Sequence, residues 1–284
     1  MRLKKIAWVT DSTAFLDEEL RNDPDVFQVP MSIILEGREY MDGLDLSAEE
    51  LYSKLKTLKE PPKTSQPSVG AFLDLYTKLV DDYDEVFALL VSSRLSGTVD
   101  SSSQASKLLG KPVITIDSKI LSYPLSALIK RGIALASEGK DSIEIKTILE
   151  GMAGTNETYV LIGSLEQLHR SGRMTGAKYL LGSMLSIKPI IAIENGVLVT
   201  KDKARSEKKA KEKITQYLRD SHEKHMFKEA WILYGLHPEV AEKWKKDLET
   251  EFEGIAFNSY PLGAVIGVHA GEHTIGLSWY NKQS

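Results

Sequence analysis

Along the first half of the chain, short apolar runs alternate with longer stretches whose apolar residues recur every three or four positions. The run IAWV at 6–9 predicts a strand, and Asp11-Ser12-Thr13 after it is a polar cluster suited to capping a following helix. A second strand is expected over Ser32–Leu35, with Glu36-Gly37 turning the chain into an edge hairpin. Ser47 followed three residues later by Glu50 forms a capping box ahead of an amphipathic helix. Pro61, Pro62 and Pro67 bracket Lys63-Thr64-Ser65, which predicts a rigid loop leading into a helix over 69–80. EVFALLV at 85–91 is almost wholly apolar, as in a strand covered on both faces. It runs into SSRLSGT and a Ser/Ala-rich helix, then a short strand over 113–116 and helices reaching about Met152.

The second half changes rhythm. A strand is expected over 159–163, then short helices over 165–185 broken at Ser171-Gly172. Asn195-Gly196 between two β-rich runs predicts a two-residue hairpin with a type I′ turn. A charged helix from about Arg205, a strand over 231–234 and a helix after Pro238 follow. Further strands are expected over 255–259, 265–269 and 275–279. The fold class is therefore α/β: an N-terminal parallel-sheet domain over 1–155 and a C-terminal α+β domain with a mainly antiparallel sheet over 156–284.

Composition narrows the function classes. The 284 residues include 36 Lys+Arg against 40 Asp+Glu, a balance that does not favour nucleic acid or an anionic membrane surface. There is no cysteine, which removes disulfides, thiol catalysis and cysteine-ligated metals and suits a reducing cytoplasm. The apolar run in MRLKKIAWVTDST is too short for a signal-peptide core, and no run could span a bilayer.

Candidate chemistry gathers where strands end. In an open parallel sheet ligands sit beyond the carboxyl ends of the strands. Asp11-Ser12-Thr13, the segment Ser92-Ser93-Arg94-Leu95-Ser96-Gly97-Thr98 and Asp117-Ser118 all fall there, with Thr64-Ser65 in a fourth loop. Hydroxyls, free N–H groups ahead of helices and a glycine at 97 suit a small anion such as a carboxylate or phosphate. The same residues also serve as ordinary N-caps. The chain carries no GxxxxGK[ST], no GxGxxG after a strand and no GxSxG. Of six histidines, His222 and His225 lie in a charged, solvated stretch, while His269 ends the apolar run AVIGV. His269, Glu272 and His273 in HAGEH have a spacing compatible with metal ligation, but with no third ligand cluster in view His269 is read as structural or ligand-facing. Lys201 to Lys213 hold seven basic residues against three acidic ones, either a solvated helix face or a docking surface for an acidic partner with Arg205 at its start.

Seven motifs occur in order: VTDST at 9–13, TSQPS at 64–68, SSRLSGT at 92–98, IDSK at 116–119, SGR at 171–173, SIKPII at 186–191 and GVH at 267–269. Together they resemble the DegV family of bacterial fatty-acid-binding proteins over essentially its full length. The resemblance implies a long-chain fatty acid as ligand, with no cofactor or metal, its acyl chain enclosed and its carboxylate held by hydroxyls. It implies a carrier, not an enzyme, that in some members serves as the acyl-carrying subunit of a fatty acid kinase. Carried over by position, Thr64 and Ser96 are the hydroxyl donors and His269 lies near the head group. Ser65, Ser93, Arg94, Gly97 and Thr98 surround them, and Arg205 matches a partner-contacting position. Two departures stand out. Ala270-Gly271-Glu272-His273 replaces the family's usual G-P-G-like turn, and Arg94 stands where glycine is common. The apolar segment over 180–193 is expected to line the acyl tunnel or simply to be core. The alternative reading is a small-molecule transferase or hydrolase using the hydroxyl-rich crevice.

Overall fold

The computed structural model describes residues 4–55, 57–58, 60–174 and 187–282. Its first sheet is parallel, built from β1 (Ile6–Asp11), β2 (Val26–Val29), β6 (Glu85–Leu90) and β7 (Ile114–Asp117) in the order β2-β1-β6-β7. Because side chains alternate across a strand, Trp8, Phe87 and Leu89 face one core while Ala7, Val9, Ala88 and Leu90 face another. Helices α5 (Tyr123–Ser137) and α6 (Ser142–Ala153) cover the first face. Helices α3 (Val69–Asp82) and α4 (Thr98–Leu109) cover the second. Gly132 lets α5 close onto Trp8, since a Cβ there would stand 2.4 Å from the indole. Burial on both faces explains why EVFALLV lacks polar alternation.

Strands β3 (Ser32–Leu35), β4 (Arg38–Met41) and β5 (Lys63–Ser65) form a small antiparallel sheet in the order β4-β3-β5. The expected rigid loop over Lys63-Thr64-Ser65 is thus a strand, with Thr64 opposite Ile33. The flanking prolines keep the chain extended on either side, and β3 offers a free edge that pairs with Lys63–Ser65. The capping box is present ahead of α2 (Ala48–Leu55): Ser47 N donates to Glu50 Oε2 (3.0 Å) and Glu50 N to Ser47 Oγ (3.2 Å).

The second half forms a six-stranded sheet of β8 (Asn156–Leu161), β9 (Lys188–Glu194), β10 (Val197–Ala204), β11 (Glu229–Tyr234), β12 (Ala256–Pro261) and β13 (Ile275–Tyr280). Its order is β10-β9-β8-β13-β11-β12, antiparallel except between β11 and β12. The β9–β10 hairpin turns at Asn195 (φ 49°) and Gly196 (φ 84°), the two positive φ values a type I′ turn needs. Helices α8 (Glu207–His225) and α9 (Pro238–Glu251) pack on one face through Ile214, Leu218 and Trp244. The opposite face presents Ile193, Trp231, Leu233 and Tyr280 to the core that contains Trp8 and α5. Tyr280 donates to the Pro124 carbonyl at the start of α5 (2.9 Å). The chain passes between sheets at Gly154-Thr155, and one apolar core bridges them.

Three further expectations change. The run at 265–269 is not a strand but part of α10 (Ala264–Ala270), a one-element plug whose Ala264, Val265 and Val268 pack on Met31, Ile33 and Leu51. A short apolar run cannot reveal its period, and the bounding Gly263 and Gly271 suit a helix as well as a strand. Helices do not follow directly on the hydroxyl clusters after β1 and β7. Between them, α1 (Glu18–Asn22) is capped by Asp17 and α5 begins only at Tyr123. The basic stretch is not one helix: Lys201 to Ala204 finish β10, and α8 begins at Glu207 with Ser206 as its cap. The expected helices over 175–185 and the part of the tunnel segment over 180–186, including Ser186, lie outside the described residues. Among the described residues no helix is long and apolar enough to cross a membrane.

Candidate functional site

The strand order places a switch point between β1 and β6: the chain leaves β1 toward β2 and leaves β6 toward β7, opening a crevice at their carboxyl ends. Thr13 after β1, Leu95 and Ser96 after β6, and Ile120 and Leu121 after β7 form one wall. Val160, Ile193, Leu198 and Leu233 of the six-stranded sheet form the opposite wall. Leu262, Val265, Ile266 and His269, on and beside α10, close a third side. The cavity between them has a volume of about 120 Å³.

Most of this lining is aliphatic, but polar groups from four segments meet along it. Thr64 Oγ1 lies 2.8 Å from His269 Nε2. His269 Nδ1 is buried and has no hydrogen-bond partner among the described residues. A buried lone pair is tolerated better than a buried orphan N–H, which assigns the proton to Nε2. Nε2–H then donates to Thr64, and the threonine's own hydroxyl proton remains available to a ligand. Burial, with the Arg173 guanidinium as a smaller contribution, pushes the His269 pKa down to about 4, so the ring is neutral at pH 7.

Ser96, Gln66 and Arg173 complete the polar set. Ser96 Oγ lies 2.8 Å from Thr98 Oγ1, which is fully buried at the start of α4. Gly97 caps α4 and takes the Gln66 side chain against its backbone; a Cβ there would stand 2.8 Å from Gln66 Nε2. Helix α7 (Leu165–Ser171) ends at Gly172 in the left-handed region (φ 69°), which turns the chain so that Arg173 reaches the cavity. Arg173 donates to the Ser171 carbonyl (2.6 Å) and makes no ion pair among the described residues. Behind the site, Asp11 accepts from Thr13 N (2.9 Å), Thr13 Oγ1 (2.6 Å) and Val91 N (2.8 Å), tying the loops after β1 and β6 together. Asp42 accepts from Ser12 Oγ (2.7 Å) and Val265 N (3.3 Å), and burial pushes its pKa up to about 6.

Thr64, Ser96 and His269 therefore line one cavity, with Gly97 and Thr98 directly behind Ser96. Ser93, Arg94 and Ser65 do not join them. Ser93 is exposed and donates to Asp117 Oδ2 (2.5 Å), Arg94 is exposed over the β9–β10 turn, and Ser65 turns to the Gln66 carbonyl (3.3 Å). Side chains alternate along a strand, so Ser65 faces away from Thr64, while the loop after β6 turns Ser93 and Arg94 to solvent. Arg205 is exposed ahead of α8, away from the cavity, in a surface groove with Lys203, Lys209 and Lys213. Sequence reasoning missed Gln66 and Arg173, although both lie inside motifs that drew attention, TSQPS and SGR.

The comparisons agree with this architecture. The family model described as "Uncharacterised protein, DegV family" matches residues 5–282. A DegV domain-containing protein of Listeria innocua is 34% identical over 283 residues, 98% of this chain and 99% of that protein. Protein DegV of Bacillus subtilis is 33% identical over 285 residues, again 98% and 99%. Among solved structures, "Fatty Acid Binding of a DegV family Protein from Thermus thermophilus" superposes with TM-score 0.90 at 31% identity, covering 97% of this chain and 99% of that one. The structure of DegV, a fatty acid binding protein from Bacillus subtilis, gives 0.88 at 30% identity, covering 98% and 100%. This chain belongs to the DegV family.

Proposed function

We propose that the chain binds one long-chain free fatty acid, with its acyl part in the aliphatic cavity and its carboxylate at Thr64, Gln66 and Ser96. The observation that carries this is the cavity's division of labour: aliphatic walls from two sheets, and hydroxyl and amide donors meeting beside a neutral histidine. Arg173 supplies the positive charge, and His269 orients the Thr64 hydroxyl without competing for its proton. Burying about 14 methylenes at ~0.8 kcal/mol each gives a gross term of ~11 kcal/mol before ordering costs, so the head group mainly sets register. The Thermus and Bacillus relatives are fatty-acid-binding proteins, which supports the same ligand here.

The protein acts as a cytoplasmic carrier that presents the carboxylate to an ATP-dependent fatty acid kinase partner, with Arg205 in the contact. The transferase or hydrolase alternative draws on the Thr64–His269 pair, which has the spacing of a nucleophile and its base. Two features weigh against it. No group holds His269 Nδ1 among the described residues, and a ring with a pKa near 4 is a poor base at neutral pH. Native mass spectrometry of the purified protein tests the carrier: one co-purifying or added fatty acid per chain is expected. A chain that stays empty in the presence of oleate or palmitate refutes it.

A further inference from the structure

A second group of polar side chains lies outside the cavity, where the loop after β11 meets the turn between α10 and β13. The two loops are joined main chain to main chain: Gly235 N donates to Thr274 O and Leu236 N to Glu272 O, both at 2.8 Å. A Cβ at Gly235 would stand 2.3 Å from Glu272 O, so the approach requires glycine. The junction brings His237, Glu272 and His273 together, with one ligating atom of each within 4.8 Å of the others. HAGEH thus divides: His269 faces the acyl cavity, and His237 from a distant segment takes its place beside Glu272 and His273.

The details suit a cation. Glu239 Oε1 lies 3.4 Å from His237 Nδ1, a charge that favours the tautomer protonated at Nδ1 with Nε2 as a lone pair. His237 Nε2 is buried and without a hydrogen-bond partner among the described residues. Glu272 Oε1 lies 3.5 Å from His273 Nε2. His237 and His273 line one pocket together with Glu207, which is paired with Lys211 (3.0 Å), and Lys188.

We propose that His237, Glu272 and His273 form a binding site for a divalent transition-metal ion of the zinc type. Two imidazoles and one carboxylate favour Zn²⁺, Co²⁺ or Ni²⁺ over Ca²⁺ or Mg²⁺, which prefer all-oxygen shells. The two rings stack at 4.5 Å with planes 3° apart, so their in-plane lone pairs do not yet converge. Binding turns the His273 ring, which at 66% side-chain exposure is unhindered. Glu272 and His273 lie in the turn after α10, and His237 caps the start of α9. A bound ion pins the end of α10, the helix that carries His269, to the start of α9.

Titration of metal-free, full-length protein with Co²⁺ and with Zn²⁺ tests the site. One equivalent of Co²⁺ is expected to bind at micromolar concentration or tighter, with the visible absorption of a low-coordinate N/O site. Zn²⁺ should displace it and raise the thermal midpoint. His273→Ala and Glu272→Gln should each weaken binding at least tenfold, while His222→Ala and His225→Ala leave it unchanged. Absence of stoichiometric binding overturns the site, as does equal affinity in His273→Ala and the parent chain.

Discussion

Thr64 Oγ1 and His269 Nε2 lie 2.8 Å apart although 205 residues separate them in the chain. One belongs to the edge strand of the small sheet and the other to a helix inserted between strands of the large one. The hydrogen bond therefore joins the two halves of the chain at the polar part of the cavity. Asp42 makes a second tie nearby, from Ser12 to the first turn of α10. The orientation of the donor hydroxyl depends on how firmly α10 is seated.

His269 should make stability fall on acidification. Its folded pKa near 4 lies below the unfolded value of 6.5, so the unfolded state takes up the proton first as pH drops. The contribution is fully present above pH 6.5 and lost as pH falls through 4, up to about 3 kcal/mol. Asp42 works in the opposite direction: its pKa near 6 lies above the unfolded 3.8, so its contribution is present below pH 3.8 and lost as pH rises through 6. The parent profile should consequently be flatter between pH 4 and 6 than either group alone would make it. Urea unfolding of His269→Gln across pH 4–7 should lose the acid-side decline and retain the Asp42 effect. A parallel shift of the whole curve would show that His269 does not titrate in this window.

Arg173 lowers the pKa of His269 through its charge, second to burial. Arg173→Gln should therefore raise the His269 pKa, followed by the ring proton shifts in an NMR titration. The same variant should weaken fatty-acid binding, and the loss should shrink as salt is added because the guanidinium is exposed. An unchanged His269 titration would place Arg173 outside the site.

Most of the fold was legible because its signals are local. The box at Ser47 and Glu50, the turn at Asn195-Gly196 and the doubly buried run at 85–91 each fix their element from a few neighbouring residues. The elements that build the site were harder. Whether Lys63-Thr64-Ser65 is loop or strand depends on β3 offering an edge, and whether 265–269 is helix or strand depends on the pocket left by Met31, Ile33 and Leu51. Thr64, Ser96 and His269 could be singled out by motif, but side-chain direction could not. Ser93 and Arg94 turn outward beside Ser96, and Arg173 turns inward after a left-handed glycine, a geometry that SGR alone does not encode.

The hydroxyls of Thr64 and Ser96 are expected to hold the carboxylate. Thr64→Val keeps the shape and removes the donor, and Ser96→Ala does the same with little change of volume. Each should cost about 1.5–3 kcal/mol of binding, the range for a hydrogen bond to a charged group. Thr64→Val should also leave His269 Nε2–H without its acceptor and lower stability in the absence of ligand. Isothermal titration with oleate reads the first effect and thermal unfolding the second. Full affinity in the double variant would remove both hydroxyls from the head-group site.

The basic segment should act through Arg205 more than through its lysines. Lys201 is paired with Glu194 (2.9 Å), Lys209 with Glu212 (2.6 Å), Lys211 with Glu207 (3.0 Å) and Lys213 with Asp202 (2.7 Å). These pairs neutralise much of the field that seven basic residues suggest, leaving Arg205, Lys203 and Lys208 without ion-pair partners among the described residues. Arg205 is exposed immediately before the Ser206 cap, on a backbone that the start of α8 holds in place. Its planar fork can pair bidentately with a partner carboxylate, an interaction that lysine cannot reproduce. Arg205→Ala should leave oleate affinity unchanged and, in an assay with the proposed fatty acid kinase, reduce acyl phosphate formation about tenfold, the scale of one charge-assisted bond. Arg205→Lys should recover only part of that loss. Lys208→Glu should slow association, with an effect that fades as ionic strength rises. Parent-like acyl phosphate formation by Arg205→Ala would make this segment a solvated face, and loss of oleate binding would instead place Arg205 at the head group.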